Sequence, residues 1–308
     1  MSTPPVRLGL GELFVEDCVT GMTRLPAASV DAVVTDPPFG IKIGGAPWDS
    51  FEHLDAFQDW TVIWAVEAVR VLRPDGVVAV FAQPRFAHRV ACALEAAGAA
   101  ILDQVMWLYG NGSGINVKHG HLRRGVTPII LASKDRHARL RVEDRRIEAP
   151  EQPARWPTNV ILDEDAAADL DQAVGMRSSG SRRAGVRKSI GYMKGSKGDD
   201  SPAIVASKGP PSRYFCYAPQ ERGRKDRPDH VTVKPLRVMK WLIGLVAAPE
   251  QVVLDPFMGS GTTAVACEEL GNRWIGFEND LKTADEARVR IARAIESVQP
   301  ILGLDLDG

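Results

Sequence analysis

Cysteine is scarce in this chain, and the four present (Cys18, Cys92, Cys216 and Cys267) lie far apart. No Cys-x-x-Cys pair or Cys/His spacing occurs, so neither a disulfide framework nor a zinc site is supported. His119 and His121 sit in a glycine- and asparagine-rich stretch with no carboxylate to complete a metal set. They read as solvated loop residues, and no metal is expected. Long apolar runs are also missing. Without a secretory leader or a membrane-length span, the expected location is the cytoplasm, with no membrane partner. An excess of one charge sign is missing too: 38 Lys and Arg stand against 39 Asp and Glu, a formal net charge of −1. Any nucleic-acid surface must therefore be a local basic patch. What is present is an ordinary globular composition, 44% hydrophobic and 25% charged over 308 residues. That is enough for one large domain or two.

Two turns organise the chain. The first follows the apolar run Val30–Val34, whose β-branched residues predict a buried strand over 29–35. It ends in Asp36-Pro37-Pro38-Phe39. Pro37 has no N–H to continue a ladder, and Pro38 pushes Pro37 out of the helical region. The outcome is a stiff extended turn carrying one carboxylate and one aromatic face. It stands at a strand's carboxyl end, where ligands bind in open α/β sheets. The second turn lies more than two hundred residues later. Val252-Val253-Leu254 predicts a short strand, Asp255-Pro256-Phe257-Met258-Gly259-Ser260-Gly261-Thr262-Thr263 a glycine-rich turn, and 264–270 a helix stopped by Gly271. Strand, glycine turn and helix together let a backbone come close to a nucleotide-like ligand. Residues 274–278 predict a further strand ending in Glu278, where an acid can bind ribose hydroxyls. The third glycine of the dinucleotide fingerprint is absent, and threonines occupy the helix start.

Asp-Pro-Pro-Phe combined with Phe-Met-Gly-Ser-Gly-Thr-Thr resembles the DNA amino-methyltransferases, which methylate exocyclic amines with S-adenosylmethionine (AdoMet). The order of the motifs, catalytic turn first and AdoMet turn last, is similar to their permuted β class. The resemblance covers residues 12–135 and 212–280. It implies a Rossmann-like fold with circularly permuted motif order, AdoMet as cofactor and double-stranded DNA as partner. It also implies that Asp36, Pro37, Pro38 and Phe39 form the catalytic turn. The cofactor contacts it implies are Asp17, Thr232, Lys234, Asp255, Pro256, Phe257, Gly259, Ser260, Gly261, Thr262, Glu278 and Asn279, with Thr232 and Lys234 at the methionine end. Asp17 has an equally good local reading as the N-cap of a helix over 18–25. N6-adenine is favoured over N4-cytosine, because Asp-Pro-Pro is commoner among the adenine enzymes of the family. A homodimer and a paired restriction endonuclease stay open as partners. So do an RNA or protein-amide substrate and a non-catalytic AdoMet- or DNA-binding module.

The rest of the chain fits an α/β reading. Residues 53–72 carry apolar side chains at helical spacing, with Phe57, Trp60 and Trp64 as packing residues. Strands are expected at 13–15, 77–81, 101–109 and 126–132, and helices at 85–97, 236–246 and 284–295. Alternation of this kind predicts a doubly wound, mostly parallel sheet. The glycine-rich loop 40–51 has the composition of a lid, in which Trp48 could help hold a base, although anchoring the loop to the core is the expected role. Residues 1–135 and 229–308 would be the two halves of one catalytic domain, with a basic target-recognition region over 136–228 inserted between them. Within 175–213, nine basic side chains face two acids among many Gly and Ser. Such a segment buries too little to fold alone. It is expected to be a phosphate-contacting arm through Arg182, Arg183, Arg187, Lys188, Lys194 and Lys197.

Overall fold

The computed structural model describes residues 4–110, 125–149, 152–178, 207–218 and 233–302. The chain opens with β1 (Val6–Leu8), β2 (Gly11–Val15), α1 (Cys18–Met22) and β3 (Val30–Thr35). It continues through α2 (Leu54–Val71), β4 (Leu72–Phe81), α3 (Ala87–Ala96), β5 (Ala100–Leu108) and β6 (Val126–Ser133). A small hairpin, β7 (Ile147–Ala149) and β8 (Gln152–Arg155), precedes β9 (Val160–Leu162), α4 (Glu164–Val174), β10 (Arg177–Ser178), β11 (Lys208–Gly209) and β12 (Cys216–Tyr217). The last part holds α5 (Leu236–Val246), β13 (Val252–Asp255), α6 (Thr262–Leu270), β14 (Arg273–Glu278) and α7 (Leu281–Leu302).

Among the described residues the main sheet has ten strands, in the order β1-β2-β14-β13-β3-β4-β6-β5-β9-β12. Its pairings are parallel except where β1 meets β2 and where β6 meets β4 and β5. The expected strands at 101–109 and 126–132 are therefore present, with β6 running against its neighbours. Alternating side chains divide between two cores, as a sheet covered on both faces requires. Val77, Ala79 and Phe81 of β4 face α5, α6 and α7, together with Ile129 and Leu131 of β6. Val78 and Val80 face α1, α2 and α3, together with Ile130 and Ala132. The helix before β4 ends at Val71, capped at its start by His53 accepting from the Ala56 amide. Pro74-Asp75-Gly76 would by its residue types end the helix ahead of the strand, but α2 passes directly into β4. That stretch lies within β4 as an irregularity, where the pairing with β3 jumps from Val30↔Leu72 to Ala32↔Val77.

Two features tie the chain together. Strands β9 and β12, from the 136–228 stretch, extend the same sheet beyond β5 rather than starting another. More important, β13 enters between β3 and β14, and β14 pairs with β2. The C-terminal segment thus fills the middle of a sheet begun two hundred residues earlier. Asp31 on β3 fastens this junction. Buried to 8% exposure, it accepts from Arg73 Nη1 at 2.8 Å and from the Val252 amide at 2.8 Å. Replacing Asp31 with Ala strands the Val252 donor at the entry to β13. The variant is expected to lose about 1–3 kcal/mol of unfolding free energy in a denaturant titration.

Candidate active site and cofactor cleft

Because β2, β14, β13, β3 and β4 run parallel, their carboxyl ends open on one edge of the sheet. A cavity of about 660 Å³ lies there. It is lined by Asp17 after β2, the whole Asp36–Phe39 turn after β3, and Asp255, Pro256, Phe257, Gly259, Ser260 and Thr262 around the glycine turn. Glu278 and Asn279 after β14, and Lys234 before α5, complete the wall. The two turns singled out in the sequence thus face one space. Thr232 and the six basic residues Arg182, Arg183, Arg187, Lys188, Lys194 and Lys197 lie outside the described residues.

Asp255 joins the two turns. Only 2% exposed, its carboxylate accepts from Thr35 Oγ1 at 2.6 Å, from Thr263 Oγ1 at 2.5 Å and from the Phe257 amide at 3.0 Å. Thr35 is the residue before Asp36, and Thr263 is in the first turn of α6. Asp255, expected to contact the cofactor, lines the cavity, and its carboxylate oxygens hold protein groups. Burial pushes its carboxyl from 3.8 up to about 6, against the pull of these three donors, with nearby Asp36 adding a further push upward.

The glycine turn is shaped from beneath. Gly259 and Gly261 have φ of +51° and +80°, a region that side-chain-bearing residues rarely adopt. A Cβ on Gly261 would lie 3.2 Å from Ile291, so this glycine lets α7 approach closely. A Cβ on Gly259 would meet only the Phe257 carbonyl, at 3.8 Å, which leaves that stretch of the wall open to a ligand. Arg290 of α7, a residue not singled out from the sequence, is 7% exposed. It donates to the Ser260 carbonyl at 3.1 Å, Ser260 Oγ at 3.2 Å and Thr262 Oγ1 at 2.7 Å. Opposite, Glu278 accepts from the amides of Gly259 and Asp280, both at 2.9 Å, and burial raises its pKa. Asp17 does cap α1, accepting from the Thr20 amide at 2.9 Å, and it lines the cavity as well.

On the catalytic side, the Lys234 ammonium pairs with Asp36 Oδ2. It also lies 5.0 Å from the centre of the Phe39 ring and 5.3 Å from that of Phe81. Lys234, expected along the methionine end of the cofactor, is therefore turned toward the catalytic turn. Phe257 packs against Trp60 and Trp64, with ring centres 5.5 Å apart in each case. The two tryptophans pack as expected, but they also line the cavity. The 40–51 loop is anchored by Asp49 instead of Trp48. Asp49 is fully buried and accepts from the amides of Gly40 at 2.6 Å, Ile41 at 3.2 Å and Ile43 at 2.9 Å. Trp48 is 52% exposed at the cavity wall.

An acid-bearing Asp-Pro-Pro-Phe turn and a glycine turn sharing one cleft of a doubly wound sheet define an α/β methyltransferase. Residues 30–289 match the family model for DNA methylases, so the chain belongs to the N6/N4 DNA methylase family. Type II methyltransferase M.HindIII of Haemophilus influenzae is 26% identical, over 87% of this chain and 91% of its own. Type II methyltransferase M1.MboII of Moraxella bovis is 22% identical, over 91% and 96%. Among solved structures, the cytosine-N4-specific PvuII DNA methyltransferase superposes with a TM-score of 0.61 at 15% identity, covering 97% of both chains. M1.HpyAVI in complex with SAM superposes with a TM-score of 0.55 at 19% identity, over 91% of this chain and 98% of that one. These superpositions establish the shared Rossmann-like fold. Membership makes the protein an AdoMet-dependent DNA methyltransferase acting on an exocyclic base amine.

The raised Asp255 carboxyl gives a stability test. Between pH 3.8 and about 6 the folded protein keeps a proton that the unfolded chain has released. The contribution of this group to stability therefore falls as pH rises through that window and is constant above it. In Asp255→Asn this component is expected to vanish. Unfolding free energies of the two proteins, measured from pH 4 to pH 7, should differ most in slope below about 6.

Proposed function

We propose that this protein is a site-specific DNA methyltransferase whose target is the N6 amine of an adenine rotated out of the duplex. The observation that supports this reading most directly is that Asp36 and Phe39 line the same cavity as the glycine turn and Glu278. An exocyclic amine is a poor nucleophile, because its lone pair is delocalised into the ring. Asp36 accepts one N–H of the amine and the Pro37 carbonyl accepts the other, which turns the nitrogen toward tetrahedral geometry. Positive charge develops on that nitrogen during transfer, and the Asp36 carboxylate is placed to stabilise it. Phe39 stacks on the extruded base.

The open wall at Gly259 and the inward Glu278 carboxylate fit the donor. AdoMet supplies a methyl group on a sulfonium that the amine can attack in line. Glu278 holds the ribose hydroxyls, and Asp17 and Asn279 lie beside the adenine. Pro256, Phe257, Gly259, Ser260, Gly261 and Thr262 shape the pocket. Asp255 keeps the two turns in register, Lys234 stands where the amino-acid end meets the target site, and Thr232, outside the described residues, is a further candidate contact for the cofactor. Much of the acceleration comes from such positioning. The choice of adenine follows the Asp-Pro-Pro form of the turn. The arm over 175–213 contacts phosphates through its lysines and arginines.

Nucleoside mass spectrometry of DNA from cells expressing the protein is expected to show N6-methyladenine, and long-read sequencing to place it in one recognition sequence. N4-methylcytosine in its place would overturn the base assignment. Asp36→Ala is expected to lower transfer by about 10²–10³-fold or more while AdoMet binding survives. Transfer retained in that variant would exclude the mechanism. Neutralising Arg182, Arg183, Arg187 and Lys188 together should weaken DNA binding. Each phosphate contact removed should also reduce the slope of log affinity against log salt by about 0.9. An unchanged slope would move the contacts elsewhere.

A further inference from the structure

The loop after the catalytic turn is held as one closed unit, and it presents a residue to which neither the fold nor the mechanism gives a task. The Asp49 carboxylate gathers the backbone amides of Gly40, Ile41 and Ile43, and its carbonyl accepts from the Lys42 amide at 2.9 Å. Gly40 directly follows Phe39, so the clamp fixes everything from the catalytic turn to Asp49 in one piece. Beneath it, Phe51, Phe57 and Trp60 pack with ring centres 5.2–6.3 Å apart and seat the far end of the loop on the core. Trp48 immediately precedes the buried Asp49, yet its indole is 52% exposed. It lines the same cavity as Asp36 and Phe39, with Ile43 and Ala46 of the loop beside it. A large apolar ring left half in water on a braced support is not serving the core. It stands at the wall of the cavity, on a loop that Asp49 holds in place.

We infer that Trp48 is a target-base contact: its indole packs on the extruded base at the cavity mouth, and Phe39 and Trp48 together determine how well a flat heterocycle is held. The clamp by Asp49 makes this a preformed surface, so stacking requires little reordering of the loop. Stacking on an aromatic ring tolerates any base. Trp48 therefore acts on retention of the flipped base, while Asp36 and Pro37 act on its amine.

This inference rests on the base-extrusion reading above, and the experiment separates the two. Wild type, Trp48→Phe and Trp48→Ala are compared on a duplex carrying the recognition sequence, with 2-aminopurine at the target position for the fluorescence arm. Expected for Trp48→Ala is a KM for DNA raised about tenfold or more and, at saturating protein, a brighter 2-aminopurine emission, because indole stacking quenches the extruded probe. The AdoMet dissociation constant, measured by calorimetry, and the melting temperature should stay at wild-type values, and Trp48→Phe should recover most of the loss. The inference is overturned if Trp48→Ala matches wild type in KM for DNA and in fluorescence. It is also overturned if AdoMet affinity and melting temperature fall in step with activity, which would mark Trp48 as a loop anchor. Should 2-aminopurine emission stay at the free-duplex level with both wild type and Trp48→Ala, although wild type methylates the unsubstituted duplex, the extrusion reading fails first and Trp48 loses its ligand.

Discussion

A single buried carboxylate, Asp255, takes a hydroxyl from each of the two turns that meet in the cleft. Thr35 comes from the strand that delivers Asp36, and Thr263 from the helix that follows the glycine turn. These segments are 220 residues apart along the chain at their contact with one another through Asp255. A methyl group in transit must be placed to within a fraction of an ångström of its acceptor, so the relative position of the turns matters more than the position of either one. The carboxylate is costly to bury, and the three donors around it offset part of that cost. Side chains that line the cleft sit on this base: Glu278 faces the glycine turn from the next strand, and Lys234 meets Asp36 from the entry to α5.

The glycine turn has a second support. Arg290 places a guanidinium under the Ser260 carbonyl and two hydroxyls, at the start of α6, where the helix dipole disfavours a cation. A charge held there, almost out of reach of water, is offset by the three hydrogen bonds it donates to the turn, which Asp255 and Glu278 hold from other sides. Gly261, by lacking a side chain, allows α7 to come near enough for this contact. The C-terminal helix, which by its sequence is an ordinary amphipathic closure, is in this way part of the cofactor wall.

Much of this architecture was legible from the residues. The Val30–Val34 run, the helix bounded by Pro235 and the strand-turn-helix around Gly259 and Gly261 announce themselves, because apolar period, proline and glycine act locally. The reversal of β6 was not legible, since periodicity reports that a strand is buried and says nothing about its direction. Strands β9 and β12 are three and two residues long, too short for any period, so their membership of the main sheet depends on tertiary pairing. Arg290 and Asp49 were missed for a related reason: one arginine on an amphipathic helix and one aspartate in a loop look solvated until their partners are known. For Trp48 the residues favour a loop anchor over a base contact, because a loop tryptophan usually goes inward; here its neighbour Asp49 does the anchoring.

The sheet order also bears on how a newly made copy behaves on the ribosome. Strands β13 and β14 complete the centre of the sheet, between β3 and β2, and they are translated last. A nascent chain carries Asp36, Pro37 and Pro38 for most of its synthesis without the glycine turn and Glu278 that form the opposite wall of the cavity. A chain cut short upstream of β13 lacks the two central strands of the sheet, and with them one whole wall of the cavity.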